Sequence, residues 1–444
     1  MTVREVVVIG AGVIGVTTAH ALREDGHQVT LLEAEPAAGR GTSHANGGFL
    51  SAGFCAPWAM PGLPRQILSA GLSRQGPMRW RPDFSTSQLR WLRDLFAQCT
   101  PSEFADHRGR MVRLALLSRA CLRRLIDRTQ VEFDFQSAGV MQIMRQQPAP
   151  SVLSRRLDEL RALGMDAQWC DAEQVRALEP GLSRSAPLAG GLQVGDDASG
   201  DCEQFVQQLL AWNCQRGLNF VPGVRVDALE MDRSGQRLRA VRSGGRRWDA
   251  QAFVFATGVD SAHLLGATLR VPVVPVKGYS VTLNLPAGQG PHAAVIDDAS
   301  KLAIARMGSR VRLAGMAELV GYRRDVDPRR CEQLIAQYEA LYGPVDRAHA
   351  SLWAGLRPMT ADGTPIIGST HIQGLYLNTG HGTYGWTLAC GSAQLLADLI
   401  ANRPAALEPS DYTPQRLSRN QAQTLASPST PTAPPGDLHA HRSH

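Results

Sequence analysis

The sequence predicts an α/β protein of two domains, each assembled from separated stretches of chain. Three observations predict it. A glycine turn joins an apolar strand to a helix and a second strand within the first 35 residues. A second α/β pattern opens near residue 190, after a helical stretch of different composition. At 444 residues the chain also exceeds what one hydrophobic core usually holds.

The opening "REVVVIGAGVIGVTTAHALREDGHQVTLLEAE" reads as strand, turn, helix, strand. Val6, Val7, Val8 and Ile9 form a β-branched run, Val13 to Leu22 has helical spacing, and Gly26 suits a helix end. Residues 63–130 then alternate tryptophan and arginine with helical periodicity in "SQLRWLRDLFAQC" and "MVRLALLSRACLRRLIDR". "VEFDFQSAGVMQIM" predicts a pair of strands, and "LSRRLDELRALG" a further helix. In "GDDASGDCEQFVQQLLAW" Asp201 is placed to cap a helix, with Gln204 as its capping-box partner. "WDAQAFVFATGVDS" is a buried strand ending in a tight turn at Thr257 and Gly258. Residues 271–351 alternate strands before a closing helix, "RRCEQLIAQYEALYG". "LYLNTGHGTYGWTLACGSAQLLADLI" is again strand, glycine loop, helix. Beyond residue 408 the chain is rich in Pro, Ser, Thr and Gln, the composition of a disordered tail, and its His439, His441 and His444 read as solvated.

Composition narrows the function classes. The net charge is +6 and only two lysines occur, Lys277 and Lys301, so the positive charge is almost all arginine. The arginines are scattered without interleaved aromatics, which argues against nucleic acid as a partner. The eight cysteines form no CxxC pair and no zinc spacing, so no metal site is expected. They read as free thiols of a reducing, cytoplasmic compartment. Neither a secretory signal nor an apolar stretch of about 20 residues is present, so any membrane contact would be peripheral.

Gly10, Gly12 and Gly15 form G-x-G-x-x-G between strand and helix. Gly10 permits the turn, Gly12 admits a pyrophosphate to the backbone, and Gly15 lets helix and strand pack closely. Glu33 ends the second strand, where an acid receives a ribose diol and repels a 2′-phosphate. The polar stretch "GRGTSHANGG" supplies Thr42, Ser43, Asn46 and Gly47 as contacts for a cofactor that extends deeper. Glycine loops at both ends of the chain, each leading into a helix, fit FAD better than NAD.

These residues resemble the flavin-dependent D-amino-acid oxidase superfamily, and within it the bacterial D-amino-acid dehydrogenase family (small subunit). The resemblance runs from the first strand to about residue 405 and is carried by "TSHANGGFLSAGFCAPWAMPG", "GGLQVGDDASGDCEQF", "PVKGYSVTL", "GLRPMTADGTPIIG" and "NTGHGTYGWTLACGS". It implies a Rossmann-type FAD-binding domain (1–62, 190–268 and 352–407) and a discontinuous α+β substrate domain with a mixed or antiparallel sheet (63–189 and 269–351). It further implies oxidative deamination of D-amino acids to 2-oxo acids and ammonia, by hydride transfer from Cα to flavin N5. Electrons would pass to a quinone-type acceptor, with peripheral contact at the cytoplasmic face of the inner membrane and a partner subunit.

Residue by residue, the main chain from Val6 to Gly15, with Ala11, Val13 and Ile14, would hold the pyrophosphate and Glu33 the ribose. Val226 would meet adenine through its backbone, and Thr257 and Gly258 belong to the same set. Gly380, His381, Gly382, Thr383, Gly385, Trp386 and Thr387 would face the flavin. Arg357 aligns with the arginine that grips the substrate carboxylate, while Tyr279 and His381 are expected to shape the pocket. Two positions depart from the dehydrogenase pattern, Phe49 where Gln is usual and Tyr384 where Leu is usual. The alternatives left open are a cyclic imino-acid (D-hydroxyproline) dehydrogenase, an oxygen-using oxidase of the same fold, and a flavin-binding scaffold subunit.

Overall fold

The computed structural model describes residues 4–70, 76, 78–80, 85–286 and 288–417. The three tail histidines lie outside them. The apolar run after Glu5 becomes the centre of a six-stranded sheet. Its order is Ile366–Ser369, Leu375–Thr379, Ala252–Phe255, Glu5–Ile9, Gln28–Leu32, Asn219–Val221, all parallel except the antiparallel edge strand Ile366–Ser369. Strands buried on both faces read as continuous apolar runs, and Val8, Phe253 and Phe255 have no exposed surface.

The two faces of this sheet have different cover. Val6 and Val8 pack with helices Val13–Glu24, Cys202–Cys214 and Gly385–Ile400. Val7 and Ile9 pack under a three-stranded meander of Ala228–Met231, Leu238–Ser243 and Arg246–Asp249. The long helix Pro101–Thr129 lies against Gly385–Ile400. There a side chain at Gly391 would strike the Leu114 carbonyl at 2.7 Å. Only glycine allows that spacing.

The second layer is a nine-stranded mixed sheet. Along it run Ser351–Met359, Val274–Asn284, Arg310–Leu319, Leu302–Met307, Ala294–Asp297, Val140–Met144, Gly190–Val194 and Ala167–Asp171, with Met78–Trp80 pairing Arg310–Leu319. Helix Pro328–Tyr342 covers it through Cys331, Leu334, Ile335, Tyr338 and Leu341. The fold is thus α/β, with a Rossmann-type parallel layer and a mixed-sheet layer. Gly190–Val194 and Ser351–Met359, expected in the cofactor-domain segments, pair within the large sheet instead.

Three local expectations are corrected. The expected strand pair at 131–144 yields one strand, Val140–Met144, because Gln136 is used in a single bridge to Ser199. Asp201 does cap its helix, accepting from the Glu203 and Gln204 N–H groups, but the Gln204 side chain donates to Asp134 Oδ2 (3.1 Å) rather than closing a box. The chain also stays packed past residue 408. Tyr412 is wholly buried and donates to the Arg110 carbonyl (2.8 Å), and Arg416 pairs with buried Asp362 (3.0 Å). Two anchoring side chains outweigh a polar composition there.

Candidate cofactor and substrate site

One cavity of about 1290 Å³ runs from Glu33 and Val226 at one end to Arg357 and Tyr384 at the other. It is larger than the roughly 300–1,000 Å³ of ordinary small-molecule pockets, as a dinucleotide plus a substrate requires. Its first wall is the opening turn. Gly10 has φ +97°, and a Cβ there would sit 2.8 Å from the Ala256 carbonyl oxygen. At Gly15 the same atom would be 1.7 Å from the Gly10 oxygen, so the helix can rest on the strand only with glycine at that place. The helix begins at Val13 behind Gly12, with no side-chain cap at the N-cap itself. Ser43 Oγ accepts from the Val13 N–H (2.9 Å). A helix start of this kind is an anion site facing the cavity.

Glu33 closes the adjoining strand. Its Oε2 accepts from the Ala11 N–H (2.6 Å) and its Oε1 from the Glu35 N–H (2.9 Å), so the carboxylate is held in one orientation at the cavity wall. Burial raises its pKa against those hydrogen bonds. Thr42 donates to the Leu356 carbonyl (2.7 Å), and Asn46 Oδ1 accepts from the Gly48 N–H (2.9 Å). Thr42 thus ties the loop to the second layer, and Asn46 holds the loop's own turn.

The other wall is the turn from Gly380 to Tyr384 and the helix Gly385–Ile400, which starts without a side-chain cap. His381 Nε2 is 2.9 Å from Ser392 Oγ, and burial pushes its imidazole down to about 3, so it is neutral over the working pH range. Tyr384 donates to the Phe54 carbonyl (2.8 Å). Tyr279 donates to Glu318 Oε2 (3.0 Å) with Lys277 over its ring, so its hydroxyl is committed within the large sheet.

Arg357, half-buried at the cavity wall, differs from the three buried arginines. Arg312, Arg330 and Arg416 each lie against a carboxylate, at 3.5, 2.8 and 3.0 Å. Arg357 faces the cavity and donates to a main-chain oxygen, that of Met316 (2.9 Å), with no carboxylate partner among the described residues. Desolvation lowers its pKa from the ordinary guanidinium range to about 10. The surrounding backbone makes room for it. A Cβ on Gly278 would fall 2.4 Å from Arg357 Nη2. Opposite Gly278 the pairing slips by one residue, and Met316 takes φ +62°, turning its carbonyl to the guanidinium.

The cavity brings together most of the expected residues: Ile9, Gly10, Gly12, Val13, Ile14, Glu33, Thr42, Ser43, Asn46, Gly47, Val226, Thr257, Gly258, Tyr279, Arg357, His381, Gly382, Thr383, Gly385, Trp386 and Thr387. It does not reach Val6, Val7, Val8, Ala11, Gly15 or Gly380. The three valines lie inside the sheet between the two covering layers, Gly15 lies under Gly10, and Gly380 backs onto Thr360. Phe49 and Tyr384, the two departures from the pattern, both line it. Residues not anticipated as lining include Trp58, Met60, Met316 and Trp353, apolar groups that arrive from three separate segments with no local motif.

These features fit FAD: a glycine turn a side chain would fill, a helix start open to phosphate, an oriented acid for a diol, and a cavity long enough for both rings. The chain matches the family model described as FAD dependent oxidoreductase over residues 5–399. It is 41% identical over 417 residues to a protein named D-amino acid dehydrogenase from Cereibacter sphaeroides, covering 93% of this chain and 95% of that one. It is 40% identical over 417 residues to another so named from Rhizorhabdus wittichii, covering 93% of this chain and all (100%) of that one. Among solved structures its fold resembles glycine oxidase from Bacillus cereus (TM-score 0.70, 21% identity, 92% of this chain and 96% of that one). It also resembles L-proline dehydrogenase from P. horikoshii (TM-score 0.73, 16% identity, 94% and 98%). With the cavity and the near full-length match in agreement, the chain belongs to the family of FAD-dependent oxidoreductases.

Proposed function

We propose that this protein oxidises D-amino acids to 2-oxo acids and ammonia and passes the electrons to a quinone-type acceptor, at the cytoplasmic face of the inner membrane. The observation that carries the reading is Arg357, a half-buried guanidinium facing the cavity whose hydrogen bond among the described residues goes to a main-chain oxygen, with no carboxylate beside it. A substrate carboxylate supplies the missing charge through a bidentate pair. The relatives named D-amino acid dehydrogenase support the choice of substrate class.

Gly10, Gly12 and Ile14 would hold the pyrophosphate of FAD, Glu33 the ribose diol, Val226 the adenine, and Gly382 to Thr387 the flavin end. When bound, FAD supplies the acceptor for the hydride of the substrate Cα. The chain's own contribution is orientation. Arg357 fixes one end of the amino acid, and the apolar walls of Phe54, Trp58 and Met316 exclude water from the other. The helix start at Gly385 places positive potential at its end of the cavity. Neutral His381 and the engaged Tyr279 shape the pocket and transfer no proton, so the substrate amine enters already neutral.

No helix among the described residues is long and apolar enough to cross a membrane, and membrane contact is proposed as peripheral. The deciding experiment compares acceptors. Purified holoenzyme with a D-amino acid is expected to reduce a quinone-linked dye and form no stoichiometric peroxide. Peroxide formed in step with substrate loss, without dye reduction, would make it an oxidase.

A further inference from the structure

The cavity has a thin wall on one side. Along the short strand Phe49–Leu50 and the two residues after it, the facing alternates: Phe49 and Ser51 line the large cavity, whereas Leu50 and Ala52 line a second cavity of about 290 Å³. Thr387 lines both. Its Oγ1 donates to the Phe49 carbonyl (3.1 Å) and accepts from the Ser51 N–H (3.2 Å). On the other side buried Asp197 accepts from Ser51 Oγ (2.5 Å) and from the N–H groups of Ala52 (2.9 Å) and Gly53 (3.1 Å). The partition is therefore rigid and one strand thick, on the order of 10 Å.

The second cavity is lined by apolar Leu50, Ala52, Leu122 and Ala198, by half-buried Ile126, by Phe135, which is 40% exposed, and by the polar Ser118, Ser137, Asp127 and Asp196. Guanidinium groups line it as well. Arg119 is 3.6 Å from Asp196, and exposed Arg123 has no ion-pair partner among the described residues. The same helix exposes Arg113, Arg124 and Arg128 on its outer side.

We propose that this second cavity seats the ring of a lipid-soluble quinone and is the port by which electrons leave the protein. The inference rests on the dehydrogenase reading above. A quinone ring is flat, neutral and carries two carbonyl acceptors, which suits apolar walls with guanidinium donors among them. The volume matches the small end of ligand pockets, roughly 300 Å³, room for one ring but not for a dinucleotide. Exposed Phe135 beside Arg123 also suits an anionic membrane surface, where such a quinone resides, although Arg113, Arg119 and Arg128 on the same helix are paired with Asp411, Asp196 and Glu24. With FAD bound and reduced, the quinone would take two electrons from it across the partition and two protons from solvent at its own cavity, becoming the hydroquinone. The protons of the cofactor would pass to solvent on its own side of the wall.

The test uses the FAD-loaded enzyme and ubiquinone-1, which needs no vesicle. Leu122→Trp fills the apolar side of the cavity, and Ile126→Trp narrows it at a half-buried position, where folding is less at risk. Both variants are expected to retain flavin and to be bleached anaerobically by a D-amino acid at the wild-type rate. Their kcat/KM for ubiquinone-1 should fall about tenfold or more, the consequence of overfilling a packed site. Equilibrium dialysis should show the same loss of ubiquinone-1 binding. Wild-type quinone reduction and binding in both variants would overturn the port while leaving the acceptor reading intact. A wild-type enzyme that is bleached by substrate yet reduces no quinone would overturn both. Loss of binding to anionic vesicles alone, with ubiquinone-1 turnover unchanged, would make the cavity a lipid seat and overturn the proposal.

Discussion

Replacing Arg357 with methionine separates its role in function from its role in stability. Burial lowers the Arg357 pKa from the ordinary guanidinium range to about 10. At about 1.4 kcal/mol per pH unit, that is roughly 3 kcal/mol of unfavourable charge burial when no substrate is present. The sign is that of a depressed base: the cost is present at pH below the folded value and disappears only above the ordinary guanidinium range. Arg357→Met removes that cost and strands one acceptor, the Met316 carbonyl, at about 1–3 kcal/mol. Thermal stability should therefore hold steady or rise by up to about 2 kcal/mol, the difference between those two contributions. Substrate capture should fall by about 2–5 kcal/mol, the usual effect of breaking a buried charged pair, or roughly 30-fold to several thousand-fold in kcat/KM. The assays are calorimetry and anaerobic single-turnover flavin reduction over a range of D-amino acid concentration. A kcat/KM within threefold of wild type would refute the anchor. A drop in stability of several kcal/mol would show that Arg357 is instead a structural group.

Glu33→Ala should weaken FAD retention by about 10- to 100-fold, the contribution of one charge-assisted hydrogen bond. Unchanged flavin absorbance after exhaustive dialysis would exclude that role. Gly15→Ala places a methyl 1.7 Å from the Gly10 oxygen, so the protein should be recovered insoluble or flavin-free; a soluble yellow variant of normal melting temperature would contradict the packing described. The buried His381, held near 3 against 6.5 unfolded, binds fewer protons in the folded state. It is neutral in both states above pH 6.5 and destabilises the folded state increasingly as the pH falls towards 3. At pH 5 the loss is about 2 kcal/mol. Urea unfolding of wild type and His381→Asn at pH 7 and pH 5 should show a shallower acid loss in the variant, and equal slopes would refute it.

What could be read from the sequence depended on how local the cause was. The opening strand, turn and helix follow from Gly10, Gly12, Gly15 and the apolar run before them, all within a dozen residues. The glycine turn before Gly385 was equally plain, because a φ of +55° at Gly382 is something local composition can signal. Arg357 was found by resemblance, but the reason it is available was not readable. That reason is a slipped register opposite Gly278, set by pairing between residues far apart in the chain. The second cavity was invisible for the same reason, since Leu50, Leu122 and Ala198 meet only in three dimensions. Polar composition likewise hid the packing of Tyr412 and Arg416, each an isolated residue whose partner lies on a distant segment.

The most direct measurement is the absorption spectrum of the purified protein, before and after a D-amino acid is added without oxygen. The account predicts a yellow protein with one FAD per chain whose visible oxidised-flavin band is lost with D- but not L-amino acids. Folded protein that stays colourless when supplied with FAD would contradict it, as would a bound flavin that no amino acid reduces.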